Sequence, residues 1–152
     1  MGTVKVDTIT GLRKSNEVTI GSTTLKFDST LSTPTSGTSN TRFGINSGIS
    51  IAAGGNYNVC VGDEAGASLT TGDNNVAIGF EALSTEDTQG HSVAVGYQAL
   101  KTQNSSATSE NTAVGYKAGT ALTTGVESVF VGYEAGAALT VGTNNVLIGG
   151  EA

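Results

Sequence analysis

The stretch Asn75-Val76-Ala77-Ile78-Gly79 is one of six copies of a short phrase that decides the fold. The other copies read NVCVG, SVAVG, NTAVG, SVFVG and NVLIG, and the six closing glycines are Gly62, Gly79, Gly96, Gly115, Gly132 and Gly149. Successive glycines are 17, 17, 19, 17 and 17 residues apart. A unit of this length cannot bury its own apolar face, so the copies must stack on one another. The spacing therefore predicts an all-β fold, a β-solenoid, over residues 58–152.

The composition excludes several classes of protein. The 152 residues are 37% hydrophobic and 5% aromatic with no Trp, which is a poor basis for a compact globular core. The net charge is −6 and the seven basic residues are scattered, so we expect no nucleic-acid partner. No apolar run approaches the length of a membrane span and no secretion leader begins the sequence. We therefore expect no membrane insertion.

The chain divides into three stretches. Residues 1–40 are predicted to form short N-terminal strands followed by a Ser/Thr-rich linker, and to serve as an attachment segment. The alternating segments that predict those strands are residues 4–9, 18–20 and 24–27. Residues 41–57 form a degenerate repeat expected to cap the array, and residues 58–152 are the array itself. The sequence stops at the start of a further repeat, so we expect the array to be truncated there or covered by another protein.

Both faces of the repeated strand are apolar. Val76 and Ile78 lie on one face and Ala77 on the other, and no position equivalent to Ala77 is polar. One face can pack inside its own coil, and the other then needs a second partner. Because a coil of about 17 residues has little interior, we expect this partner to be another copy of the chain, in threefold packing about an axis. The residues predicted to pack at that axis are Cys60, Ala77, Ala94, Ala113, Phe130 and Leu147.

An aromatic side chain directly follows the phrase glycine in four of the repeats. These residues are Phe80, Tyr97, Tyr116 and Tyr133. Like residues at one offset of a solenoid can stack coil on coil, and we favour this packing role. A surface ribbon that binds sugar through Tyr97, Tyr116 and Tyr133 remains open as the alternative.

The residues needed for catalysis or for a metal centre are missing from the sequence. His91 is the only histidine, and it lies in a polar turn with no further ligand at usable spacing. Cys60 stands alone inside a strand, which is typical of a buried filler. The acids at one recurrent offset are Glu64, Glu81, Glu134 and Glu151. Because Gln98 and Lys117 replace them in two repeats, the offset indicates a solvated corner rather than a catalytic carboxylate pair. An aligned carbohydrate or Ca²⁺ site stays an alternative, and we expect no enzyme activity and no cofactor.

The repeats resemble those of two families. The phrase NVAIG, followed after two residues by Ala82, resembles the head repeats of trimeric autotransporter adhesins. The longer units NNVAIGFEAL and NTAVGYKAGTALTTG look more like repeats of bacteriophage fibre and tail-associated proteins, and the opening MGTVKVDTIT is similar to N-termini of marine cyanophage fibre-like proteins. The resemblance implies a homotrimer of left-handed parallel β-rolls. Autotransporters carry a leader and a membrane anchor, and we expect neither in this protein, which favours the phage alternative.

The function expected from these features is structural. The chain is predicted to be a fibre or spike component of a virion surface, such as a head fibre, a capsid decoration or a short tail appendage. Residues 1–40 would bind another virion protein. One alternative is an adhesin that binds host surface glycan through the tyrosines or through loop residues 102–111. A less favoured alternative is an ice-binding solenoid, because Leu-Thr pairs recur only at residues 69–70, 122–123 and 139–140.

Overall fold

The structure is a computed structural model that describes residues 36–152. Seven strands of three residues form one sheet in which every strand is parallel to its neighbour and the order follows the sequence. The strands are β1 (Thr41–Phe43), β2 (Val59–Val61), β3 (Val76–Ile78), β4 (Val93–Val95), β5 (Thr112–Val114), β6 (Val129–Val131) and β7 (Val146–Ile148). The described residues contain no helix. The predicted N-terminal strands lie outside the described residues, and so do residues 29–35 of the predicted linker.

Each of the first six strands opens one coil of a solenoid. Coils 1 to 6 comprise residues 40–57, 58–74, 75–91, 92–110, 111–127 and 128–144, and β7 follows. Equivalent residues are always paired, as in Ala77 with Ala94 and Ala94 with Ala113, so the longer coil 4 does not shift the register. The extra residues of coil 4 lie in a loop whose residues 106–108 are exposed. The predicted all-β solenoid is confirmed.

The glycine that closes each phrase allows consecutive coils to approach closely. Gly62 has a φ of +127°, and a Cβ there would lie 2.6 Å from the carbonyl oxygen of Gly79 in the next coil. The phrase glycines of the next four coils have the same positive φ and would meet the same backbone. Because L-residues with a side chain rarely adopt this conformation, glycine is required by coil-on-coil stacking.

A ladder of mostly buried polar side chains precedes the strands, and in the four coils that begin with Asn it fastens the coil twice. The Oδ1 atom of Asn58 accepts a hydrogen bond from the backbone N–H of Asn75 at 2.9 Å, and its Nδ2 atom donates to the carbonyl of Gly72 at 2.7 Å. The first bond joins coil 2 to coil 3, and the second closes coil 2 on itself. The same column is occupied by Asn40, Asn58, Asn75, Ser92, Asn111, Ser128 and Asn145. The sequence analysis did not predict this ladder.

One corner of the coil interior holds a single large apolar side chain, at either of two positions. In coil 2 the pair is Gly66 and Leu69, and Leu69 is fully buried. In coil 3 the pair is Leu83 and Glu86, and the buried leucine occupies the glycine position with a φ of +51°. A side chain at Gly66 would meet Leu69 at 2.8 Å, which explains why the two positions do not both carry leucine.

Replacing Gly62 with Ala is expected to lower the free energy of unfolding by about 2–4 kcal/mol, because the new Cβ would strain the backbone and press on Gly79. Gly150 is the matched control, since a Cβ there would meet nothing within 4 Å. Its replacement by Ala should change stability by less than about 0.5 kcal/mol. Chemical denaturation followed by circular dichroism measures both. Equal losses in the two variants would contradict the stacking role of Gly62.

Candidate functional site: the outer face and the aromatic ladder

The structure places the residues predicted for a trimer axis inside the chain's own coil. Cys60, Ala77, Ala94, Ala113 and Phe130 are all 0% exposed, and Leu147 packs against the same core. Side chains alternate along a strand, and here the middle residue of each three-residue strand points inward. This placement corrects the prediction: five of these side chains are buried by their own chain, Leu147 is partly buried by it, and their burial does not require a partner copy.

The opposite face of the same sheet remains open and is apolar. We call it the outer face, and it consists of the first and third residues of every strand. Its residues are Thr41, Phe43, Val59, Val61, Val76, Ile78, Val93, Val95, Thr112, Val114, Val129, Val131, Val146 and Ile148. None is charged, and only Thr41 and Thr112 are polar. In the middle of the sheet Ile78 and Val114 remain 37% and 39% exposed. Exposed apolar surface that extends over several strands is typical of interaction sites.

The aromatic ladder, defined as Phe80, Tyr97, Tyr116 and Tyr133, runs along the corner that follows the strands. Adjacent ring centroids are 5.4, 5.2 and 5.3 Å apart, and the rings are within 16° of parallel. This is the geometry of offset aromatic stacking. Contact between consecutive coils is therefore one role of the ladder, and Phe80 belongs to it together with the three predicted tyrosines. The rings nevertheless remain 40–53% exposed.

Charged and amide side chains lie beside the ladder at the next residue of each coil. Glu81 accepts hydrogen bonds from Lys101 at 2.7 Å and from Gln98 at 2.6 Å, and these bonds lower the pKa of the Glu81 carboxyl. The negative charge of Glu134 raises the pKa of the Tyr133 hydroxyl. All four recurrent acids therefore lie on a corner that is at least partly exposed to solvent. They are Glu64, Glu81, Glu134 and Glu151.

A buried polar layer extends from coil 3 through coil 4 to the start of coil 5. The Oε2 atom of Glu86 accepts hydrogen bonds from Gln103 at 2.9 Å and from Ser109 at 3.2 Å, and its Oε1 atom accepts one from the N–H of Gln89 at 3.3 Å. Gln103 in turn accepts a bond from Asn111 at 3.0 Å. Every buried side-chain polar atom of the described residues has a partner, so this layer anchors the longer loop of coil 4 without an unsatisfied group.

The remaining predicted residues are dispersed. His91 is exposed in its turn, and Cys60 lies in the coil interior. Across residues 36–152 no three His, Cys, Asp or Glu side chains come close enough together to hold a metal ion. The same range contains no helix with the length and apolar character required to cross a membrane. The groups with a distinctive arrangement are therefore the outer face and the aromatic ladder.

The fold and its surface columns define the chain as a β-solenoid repeat protein. Comparison with family models, with curated proteins and with solved structures gives no match to this chain. Function must therefore be argued from the outer face and the aromatic ladder themselves.

Burial raises the pKa of the Cys60 thiol from 9.0 to about 11. The unfolded chain therefore ionises first, and the stability present below about pH 9 is lost as the pH rises towards about 11. At about pH 10 the loss attributable to Cys60 is roughly 1 kcal/mol. Cys60→Ala, which reproduces the equivalent Ala77, should lose correspondingly less stability between about pH 7 and pH 10. Denaturation of both proteins at the two pH values measures this difference, and identical pH dependence would contradict the burial of the thiol.

Proposed function

We propose that the chain is a structural fibre or spike component of a virion surface, and that it assembles as a homotrimer of left-handed β-rolls through the outer face. The observation that carries the assembly is the uncharged apolar surface that runs along all seven strands. A parallel sheet is normally covered on both faces, and the coil interior covers only one of them here. The virion assignment and the threefold symmetry are supported by the resemblance of the repeats.

Another copy of the chain is the partner that suits the outer face best. The face repeats once in every coil, so a second face with the same spacing can match it row by row. An uncharged face also places no charge in the contact, where an unpaired charge would be costly.

The attachment step is assigned to residues 1–40, which we propose bind another virion protein. The array would then project from the particle as a rigid element, and any weak contact with a host would be multiplied by the number of chains. The virion location is tested by proteomics of purified virus particles whose genome encodes the chain. Peptides from coils 2 to 6 in the particle fraction support the proposal, and their absence overturns it.

Assembly is tested by placing charge on the outer face. In the double variant Ile78→Asp/Val114→Asp, the new carboxylates are solvated in a single chain but would be desolvated between copies. We expect light scattering to give the mass of three chains for the unmodified protein and of one chain for this variant. The matched control Thr71→Asp/Thr124→Asp adds the same charge at exposed turn positions and should remain trimeric. A single-chain mass for the unmodified protein would overturn the proposal.

A second candidate function is the binding of a host surface glycan along the aromatic ladder. It is favoured by the exposed stacked rings together with the amide and charged groups of Gln98, Lys117 and Glu134 beside them. Because the two acids beside the rings, Glu81 and Glu134, are balanced by Lys101 and Lys117, a neutral polysaccharide suits the surface better than a charged one. Ice binding receives no such support, since the hydroxyls of Thr70 and Thr123 donate to backbone carbonyls of the next coil.

Glycan binding is tested with Tyr116→Ala, which removes a central ring from the ladder. We expect calorimetry to detect binding of a neutral polysaccharide by the unmodified protein and its loss in this variant. Tyr57→Ala is the matched control, because Tyr57 is exposed but lies outside the ladder, and it should bind as the unmodified protein does. Absence of binding by the unmodified protein, or equal loss in both variants, would rule out the ladder as the binding surface.

A further inference from the structure

Three tyrosines of the aromatic ladder form two stacked pairs at contact range. The centroids of Tyr97 and Tyr116 are 5.2 Å apart with ring planes 9° from parallel, and those of Tyr116 and Tyr133 are 5.3 Å apart and 6° from parallel. The three rings are 40–53% exposed. Each ring is therefore accessible to reagents in solution. The stacked coils hold the next tyrosine ring of the ladder beside it.

Few other side chains compete with these rings for a one-electron oxidant. The sequence contains no Trp and a single Cys. That residue, Cys60, is buried in the coil interior, and burial raises its pKa to about 11. The thiolate is the form of cysteine that reacts with oxidants, and it is scarce at neutral pH when the pKa is so high. Tyr57 is the fourth tyrosine of the sequence and lies outside the ladder.

We propose that Tyr116 and Tyr133 form an oxidative cross-linking site, at which a dityrosine bond joins coil 5 to coil 6. Tyr97 is the second, less favoured partner of Tyr116. Phe80 stacks on Tyr97 but has no hydroxyl, and it takes no part in the coupling. The reaction lies within one chain and is independent of the assembly proposed above.

The co-reactant is hydrogen peroxide acting through a haem peroxidase. Each tyrosine loses one electron and its phenolic proton, and the peroxide takes up both electrons and both protons and becomes two water molecules. The two phenoxyl radicals then form one carbon–carbon bond between ring positions next to the oxygens. The hydrogens on those two carbons move as protons to the two oxygens, which restores both phenols. The chain therefore loses two hydrogen atoms in total.

The neighbouring charges favour the pair Tyr116 and Tyr133. Tyr133 is followed directly by Glu134, whose negative charge raises the pKa of the Tyr133 phenol and favours the loss of an electron from its ring. The Nζ atom of Lys117 lies 5.3 Å from the centroid of the Tyr116 ring, and a cation there opposes electron loss from that ring. The first radical is therefore expected at Tyr133, whose only neighbouring tyrosine is Tyr116.

The cross-link would have a mechanical consequence. A solenoid is held together by contacts between neighbouring repeats, so coils can separate from an end of the array. A covalent bond between coils 5 and 6 keeps the two coils together when their hydrogen bonds open. We therefore expect the oxidised protein to unfold at a higher denaturant concentration than the untreated protein.

The test is oxidation of the dilute full chain by peroxidase and hydrogen peroxide, with dityrosine fluorescence, denaturing electrophoresis and peptide mass spectrometry as readouts. The unmodified protein should fluoresce at single-chain mobility and yield a cross-linked peptide that contains Tyr116 and Tyr133. In Tyr116→Phe the ring stack is kept but no two tyrosines remain adjacent, so the signal should fall to background. Tyr57→Phe is the control and should react like the unmodified protein.

A gain-of-function variant completes the test. Phe80→Tyr/Tyr116→Phe restores an adjacent pair at the other end of the ladder, between position 80 and Tyr97, and should recover the single-chain signal. Tyr133→Phe should reduce the yield more than Tyr97→Phe. The proposal is overturned by a signal that persists in Tyr116→Phe, by loss of the signal in Tyr57→Phe, or by cross-linking of the unmodified protein between chains only.

Discussion

The structure depends on hydrogen bonds between the backbones of consecutive coils at equivalent or adjacent positions of the repeat. These bonds are found in the strands and also at the corners, where the N–H of Gly62 donates to Phe43 at 2.7 Å and the N–H of Glu64 donates to Ile45 at 2.9 Å. A coil can form them only by following the path of its neighbour. For this reason unusual backbone conformations recur at the same position of every coil. The residue after the aromatic position has a positive φ in each coil, whether it is Glu, Gln, Lys or Asn.

The requirement for an identical path also governs the interior. Because successive coils enclose the same small space, a large side chain at one position has to be balanced by a small one nearby. Leu83 and Leu100 occupy a glycine position at the cost of a strained backbone, and polar side chains then replace leucine three residues later. The buried carboxylate of Glu86 is tolerated because three donors surround it, so a change in side-chain chemistry is absorbed without a change in the path.

The sequence was sufficient to predict the stacking, the strands and the aromatic column, because all three depend on the repeat period. It was not sufficient to predict which face of the strand points into the coil. Alternation separates Ala77 from Val76 and Ile78, but it does not say which face is enclosed, and the prediction chose the wrong one for the interior. Size was the available signal, since a narrow coil accepts Ala and Cys more readily than two branched side chains. The ladder of polar side chains before the strands was also visible in the sequence as a column of Asn and Ser. Because these side chains are polar, the column suggested positions exposed to solvent and not buried ones.

Because the first and third residues of each strand point outward, the outer face and the aromatic ladder are two distinct surfaces. The outer face and the aromatic ladder lie on either side of the phrase glycine, where the chain turns with a φ near +130°. A partner copy could therefore cover the apolar columns of the strands and leave the edges of the tyrosine rings in solvent. Since every coil repeats this arrangement, each added coil lengthens both surfaces by the same step. The two surfaces can consequently change independently of each other, because substitutions before the glycine alter the outer face and substitutions after it alter the ladder.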